Sequence, residues 1–393
     1  MNLPIWIPSK VTELVSAIFV SKARRRAHNA AAPVNQLPPE ILAQIFEFAS
    51  AEVRDTSMDW IALTHTCQYW RNAALGHPRL WSRFSFLNPG FAQAMLERSG
   101  DTPITVALLQ DFDISWMIRR SPDLPHLPID RIEYISFRHW LGRDVLRELL
   151  WDSDDQPFPI LETIEVGGSC VLPAHVDWLC QKLASGGAPV LRHLKFRDVC
   201  VSNWDVLQLG ASLKSLHLWW WQNPYDDSPP DQGPSLTELL GHLQAMPLLE
   251  ELAISYLNPG TTNLPVASLR NLKTIISMDV MHTQTLLLGA LHIPNIQKID
   301  LNCLDVVQNT VQLGQLLASI RKAWEGQSSA SVFRKLKSRG SNGFNRLGNW
   351  EMWHVFDVYD NAAGWLRLRF RSTGVLFPEI ERTFLNLSTC IMR

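Results

Sequence analysis

The chain lacks the features by which most enzymes and metalloproteins can be read from sequence. Its six cysteines stand at 67, 170, 180, 200, 303 and 390, and no two have the C-x-x-C spacing of a zinc or redox site. There is no G-x-S-x-G, no H-E-x-x-H, no P-loop and no G-x-G-x-x-G. The glycine-rich GSNGFNRLG at 340–348 has the wrong spacing to cradle a phosphate and reads as a loop. The twelve histidines are dispersed. Asp152, Asp154 and Asp155 lack the further oxygens and closing Glu of a calcium loop, and Asp226-Asp227 sit in an equally solvated insertion. No catalytic residue, no metal ligand and no cofactor is therefore expected, and the chain is not expected to be an enzyme.

Charge is also scarce and balanced. Charged residues make up 19% and the net charge is -2, so no global basic field invites nucleic acid. No apolar run reaches the ~20 residues that span a bilayer. No cleavable signal is read at the start, so the thiols are expected to be reduced and the location cytoplasmic and/or nuclear. Neither nucleic acid nor membrane is expected as a partner.

What is present argues for a folded protein. Hydrophobic residues reach 46% of 393, enough for two or three domains or for one long repeat array. Sixteen tryptophans are a heavy load. Most should be core, though Trp also serves as a binding anchor.

Residues 1–33 form a tail. Val11, Leu14, Val15, Ile18 and Phe19 make an amphipathic face, followed by Lys22, Arg24, Arg25 and Arg26. The favoured reading is a helix packed on the rest of the protein, with basic residues suiting the C-terminal end of its dipole. A nuclear-import patch, a membrane-surface helix and a presequence compete with it, the last weakened by Glu13, Pro4 and Pro8.

Residues 34–86 read as three short helices. The first opens on LPPE, with Pro39 near the first helical position, where a missing N–H costs nothing, and Glu40 beside the positive helix terminus. Ile41, Leu42, Ile45, Phe46 and Ala49 give it one wide apolar face. Ser57 caps a second helix carrying Trp60, Ile61 and Leu63. Tyr69, Trp70, Ala73 and Ala74 lie on a third, which Gly76 and Pro78 stop. Leu80-Trp81 closes the unit. So small a core cannot hide all of these side chains, and the module needs a partner or a neighbouring domain.

The same residues resemble the F-box: LPPEILAQIF its opening, Cys67 and Trp70 its C-x-x-W, Leu80-Trp81 its closing pair. The resemblance implies docking on a Skp-type adaptor, which links to cullin and RING subunits. It also implies that Leu37, Pro38, Ile41, Leu42 and Ile45 meet the adaptor, that Leu80 and Trp81 help, and that Trp70 packs the helices together.

From residue 87 to 325 an L-x-x-L-x-L pattern recurs. Its first apolar positions are Ile132, Leu161, Leu191, Leu213, Leu249, Leu272 and Ile296, at offsets of 29, 30, 22, 36, 23 and 24 residues. Those offsets bracket the ~20–29 residues of a leucine-rich repeat, with insertions. Helix-like stretches alternate with the strands: Val145–Leu150, Val176–Leu183, Leu236–Leu243, Thr285–Leu291 and Leu313–Trp324. Phe91–Arg98 followed by ITVALL reads as an earlier, degenerate helix–strand unit. The expected fold class is α/β, a small three-helix module followed by an irregular leucine-rich-repeat solenoid, its parallel sheet flanked by outer helices. In residues 326–393, Val332–Lys337, Trp353–Tyr359 and Trp365–Arg371 read as strands that continue or cap the sheet, and Pro378–Leu387 as a last helix. The array resembles the irregular repeats that follow an F-box in fungal-type F-box proteins.

Two features could meet a substrate. If Leu216, Leu218 and Trp220 face inward, the period of two turns His217, Trp219 and Trp221 to the open face, beside an insertion that could equally bury them. Arg367, Arg369 and Arg371, with Lys335 and Lys337, could attract an acidic or phosphorylated segment, although a solvated sheet face or salt bridges to neighbouring strands is the favoured reading. By resemblance, the whole is a substrate-recognition subunit of an SCF-type ubiquitin ligase, the repeats holding a protein substrate. The competing reading is a non-catalytic repeat scaffold whose F-box is degenerate or acts outside a ligase.

Overall fold

The structure is a computed structural model. It describes residues 23–52, 59–84, 89–108, 127–138, 157–167, 173–183, 187–199, 201, 211–220, 234–260, 263–307, 310–324, 335–344, 350–359 and 365–372. The apolar face at 11–19, Ser57, and the helices expected at Val145–Leu150 and Pro378–Leu387 lie outside these residues. Two compact units divide the chain at residues 107 and 108.

In the first unit, residues 23–31 are helical and a 3₁₀ turn follows at Pro33–Gln36. Helix α1 spans Pro39–Glu52, with Glu40 in its first turn. The expected second helix is a 3₁₀ segment, Asp59–His65. Helix α2 (Gln68–Leu75) ends at Gly76, and Pro78, at the first position of helix α3 (Pro78–Trp81), starts rather than stops a helix. The unit then takes in β1 (Arg83–Phe84), α4 (Pro89–Ser99) and β2 (Ile104–Leu108, its last residue past the divide). β1 and β2 pair in parallel. The helix–strand stretch that follows the three-helix module in sequence thus lies within the first compact unit. Gly100 takes φ +53 just past α4, a left-handed stop that suits glycine.

Indoles and one phenol knit this unit together. Trp81 is 2% exposed; its Nε1–H donates to the Ala74 carbonyl (2.8 Å) and its ring meets Trp60 edge-on at 5.1 Å. Arg98 stacks over the Trp81 ring at 4.3 Å. Trp70 leans on Phe46 at 5.1 Å and donates to Asn35 Oδ1 (2.5 Å), while the Tyr69 hydroxyl donates to the Leu37 carbonyl. Indoles bury large areas but must place an N–H, and those of Trp70 and Trp81 are placed.

In the second unit the expected strands form, together with two short ones, at 267–268 and 291–292, that the sequence pattern does not predict. They are β3 (Ile132–Arg138), β4 (Thr163–Gly167), β5 (His193–Arg197), β6 (Ser215–Trp219), β7 (Glu251–Ser255), β8 (Ala267–Ser268), β9 (Thr274–Asp279), β10 (Leu291–His292), β11 (Lys298–Val307), β12 (Lys335–Phe344), β13 (Trp350–Tyr359) and β14 (Trp365–Ser372). From β3 the main-sheet order is β3-β4-β5-β6-β7-β9-β11-β14-β13-β12; β8 and β10 pair separately. The pairing is parallel from β3 through β11 to β14, and antiparallel in β14-β13-β12. Helices α5 (Pro173–Lys182), α6 (Leu236–Gln244), α7 (Met281–Ala290) and α8 (Thr310–Trp324) lie between strands in sequence, as parallel crossovers require. Ser235 and Glu238 close α6 with a reciprocal capping box.

Register converts the sequence pattern into a core. Ile135, Ile164, Leu194, Leu216, Leu252, Ile275, Ile299 and Leu366 stand side by side across the sheet. Two residues on, Phe137, Val166, Phe196, Leu218, Ile254, Ser277, Leu301 and Leu368 form a second ladder, and every member of both is buried. The first apolar position of each pattern after Ile132 precedes its strand by two residues. It closes a turn whose N–H returns to the residue three before it, as in Leu191 to Ala188, Leu249 to Met246, Leu272 to Leu269 and Ile296 to Ile293. Side chains tie neighbouring turns: Ser212 donates to the Leu191 carbonyl, Asn271 to Pro247 and Asn295 to Arg270, at 2.7–2.9 Å.

The glycine-rich 340–348 stretch differs from its reading as a loop. Gly340 to Phe344 form the second half of β12, with Gly340 opposite His354 and Phe344 opposite Trp350. A terminal strand accepts glycines that an interior one would not, because it packs against one neighbour only.

Candidate functional site

The first candidate surface lies on α1. Consecutive apolar pairs, Ile41-Leu42 and Ile45-Phe46, make its apolar arc too wide for one neighbour to cover. The structure splits the arc. Leu42 and Phe46 are at most 1% exposed, whereas Ile41 is 42%, Ile45 45% and Phe48 75% exposed. Positions 41, 45 and 48 share one face of the helix, so these three form a stripe on its outer side. Pro38 is exposed just ahead of it, and Leu37 is half-buried with its carbonyl held by Tyr69. Glu47 Oε2 lies 3.0 Å from His77 Nε2, tying α1 to the start of α3.

Of the residues expected to meet an adaptor, the structure leaves Leu37, Pro38, Ile41 and Ile45 accessible. Leu42, Leu80 and Trp81 are corrected: at 0%, 3% and 2% exposure they hold the unit together and offer no surface. Phe48 was missed, although its spacing of seven from Ile41 and three from Ile45 was a legible signal.

The second candidate surface is the face of the main sheet opposite the two ladders. Glu165, Lys195 and His217 align across β4, β5 and β6. Lys195 Nζ reaches Glu165 Oε1 at 2.7 Å, and His217 Nε2 lies 3.3 Å from Glu251 Oε1. The His217 contact holds the Glu251 carboxyl below its usual range, while burial followed by the Lys195 ammonium lowers His193. Ala253 and Ile276 continue the row, which then reaches Asp300 and Arg367. Arg367 Nε donates to Asp357 Oδ1 at 2.6 Å, and Arg369 Nη2 donates to Asp300 Oδ1 at 2.7 Å.

The speculative substrate residues therefore divide. Trp220 is buried as expected, its Nε1–H on the Val199 carbonyl, and Trp219 is half-buried on the open face. His217 shares that face, paired with Glu251. Trp221 lies outside the described residues. Arg367 and Arg369 are not a free cationic row, because buried carboxylates on β13 and β11 already engage them. Arg371 is placed in β14, opposite Trp353, by its backbone alone.

Among the described residues no group of histidines, cysteines and carboxylates could hold a metal ion, and no helix is long and apolar enough to cross a membrane. Burial, with Asp177 nearby, pushes the Cys180 thiol up to about 12, and burial raises Cys303 as well. Neither is a ready nucleophile.

These two surfaces define the class: a small helical module with an open apolar stripe, joined in sequence to an α/β unit with a parallel sheet. Residues 34–87 match the family described as F-box-like, so the stripe belongs to an F-box-like domain. No curated protein and no solved structure matches the chain.

Proposed function

We propose that this chain is the substrate-recognition subunit of an SCF-type ubiquitin ligase. Its F-box-like domain docks on a Skp-type adaptor, which connects it to cullin and RING subunits. The second unit is an irregular leucine-rich-repeat solenoid whose open sheet face holds a protein substrate. The chain performs no bond chemistry itself.

The carrying observation is the stripe of Ile41, Ile45 and Phe48 on a domain that matches the F-box-like family. An exposed apolar row next to a well-filled core marks a place where a partner completes the burial. The repeat reading is supported by the recurrent turn-and-strand unit and its two in-register ladders.

Co-expression with a Skp-type adaptor, followed by affinity capture, tests the proposal. Wild-type protein retains the adaptor. The Ile41→Ala/Phe48→Ala pair, which leaves the core intact, loses on the order of 2 kcal/mol or more of binding. Soluble, folded wild type that retains no adaptor would overturn the reading. Adaptor capture without ubiquitination of any captured protein in a reconstituted ligase would favour a scaffold outside a ligase.

A further inference from the structure

The helix at residues 23–31 is basic, exposed and moored. Arg24, Arg25, Arg26 and His28 are all exposed, and among the described residues no carboxylate pairs with them. The sequence carries no Asp or Glu from Leu14 through Pro39, so nothing in that stretch offsets the charge. The helix is nevertheless tied to the F-box-like domain through Asn35. Asn35 Nδ2 donates to the Asn29 carbonyl at 2.6 Å while its Oδ1 accepts from Trp70 Nε1 at 2.5 Å. Backbone N–H groups of Ala32 and Asn35 add bonds to Asn29 and Ala32 at 3.1 and 2.9 Å. A single amide thus joins the end of the helix to a tryptophan of α2. From there the chain runs through exposed Val34 and Pro38 straight into the stripe.

We propose that this arginine helix is a second contact for the partner docked on the stripe, taking an acidic surface of the Skp-type adaptor. The inference rests on the adaptor reading above and adds the chemistry of the partner's adjoining surface. Positive charge held in place on one body steers an acidic partner and fixes its orientation, which three arginines on a loose tail would do less well. A lipid surface fits less well, because within 23–31 the only apolar side chains are alanines, and interfacial helices bury bulky ones.

The test is calorimetric titration of the full chain with purified Skp-type adaptor at about 50 mM and about 300 mM salt, a range over which the screening length falls a little more than twofold. Arg24→Gln/Arg25→Gln/Arg26→Gln should weaken binding about tenfold at low salt and leave it little changed at high salt, flattening the salt dependence. The corresponding Lys substitutions should restore most of it. Ile41→Ala/Phe48→Ala should instead lose affinity at both salts. A triple Gln variant with wild-type affinity and wild-type salt dependence overturns the helix proposal and leaves the adaptor reading standing. Failure of wild type to bind at either salt overturns both. Sedimentation with phosphatidylserine vesicles that needs the arginines, combined with unchanged adaptor titration, overturns the proposal in favour of a membrane.

Discussion

The two units treat their open surfaces in opposite ways. On α1, Ile41, Ile45 and Phe48 are left apolar and uncovered. On the main sheet, the open face is polar and spent on itself: Glu165 on Lys195, Glu251 on His217, Asp300 on Arg369 and Asp357 on Arg367. An uncovered apolar row gains free energy with any partner that fits it. A row of polar groups already paired with one another gains little until a partner replaces those contacts with equally good ones, which favours selectivity over raw affinity. The first surface suits a constant partner and the second a discriminating one.

The comparison can be broken most sharply inside α1. Leu42→Ala should cost about 2–5 kcal/mol of stability by opening a cavity in the small core. Ile45→Ala, three residues on, should change stability by about 0.5 kcal/mol or less and act on adaptor binding instead. Denaturant unfolding of both variants checks this; equal losses would mean that the outer stripe is not a free surface.

On the sheet, Arg367→Gln should cost about 3 kcal/mol, because Asp357, 1% exposed, loses its charged partner. The same measurement applies, and a cost near zero would show the ionic row to be dispensable.

A pH series sharpens the comparison further. Asp279 accepts from the Leu257 and Val280 N–H groups at 2.6 and 2.7 Å. Burial, outweighing these bonds, raises its carboxyl from 3.8 to about 6, with Asp305 adding to the rise. A carboxyl raised by folding binds its proton more tightly in the native state, so its contribution appears as pH falls through about 6 towards 4 and is absent above that window. The gain should be on the order of 3 kcal/mol, and Asp279→Asn should remove this slope. Unfolding free energies at several pH values test it.

The smallest effect is expected at Lys273, whose Nζ reaches Glu250 in the open at the strand starts. Lys273→Gln should change stability by no more than about 1 kcal/mol, less at high salt.

Much of the second unit was legible because one residue type marks one place. Every apolar triplet from Ile132 to Ile296 found a strand, since a period of two with a fixed lead-in is hard to satisfy otherwise. The divide at 107 was not legible, because α4 and β2 have the same helix–strand grammar as the units after them. The stripe on α1 was half legible. Spacing named Ile41, Leu42, Ile45 and Phe46 on α1 but passed over Phe48, and which of two adjacent residues turns outward depends on where α2 and the 3₁₀ segment pack. The ionic row was hidden for a similar reason: Asp300 and Arg369 are 69 positions apart, and only the insertion of β14 beside β11 brings them together.

The staircase of Ser212, Asn271 and Asn295 also has a direction. In each case the donor comes later in the chain than the carbonyl it reaches, by 21, 24 and 25 positions. The backbone bonds that start the strands run the same way, Arg192 to Glu162, Lys214 to Arg192, Lys273 to Glu250 and Gln297 to Lys273. A chain emerging from the ribosome amino end first can therefore lay each turn on one already made. Among the described strands that order lapses at β11, whose far neighbour β14 is synthesised well after it. The sheet up to β11 can be assembled as it is translated, while its last edge waits for the end of synthesis.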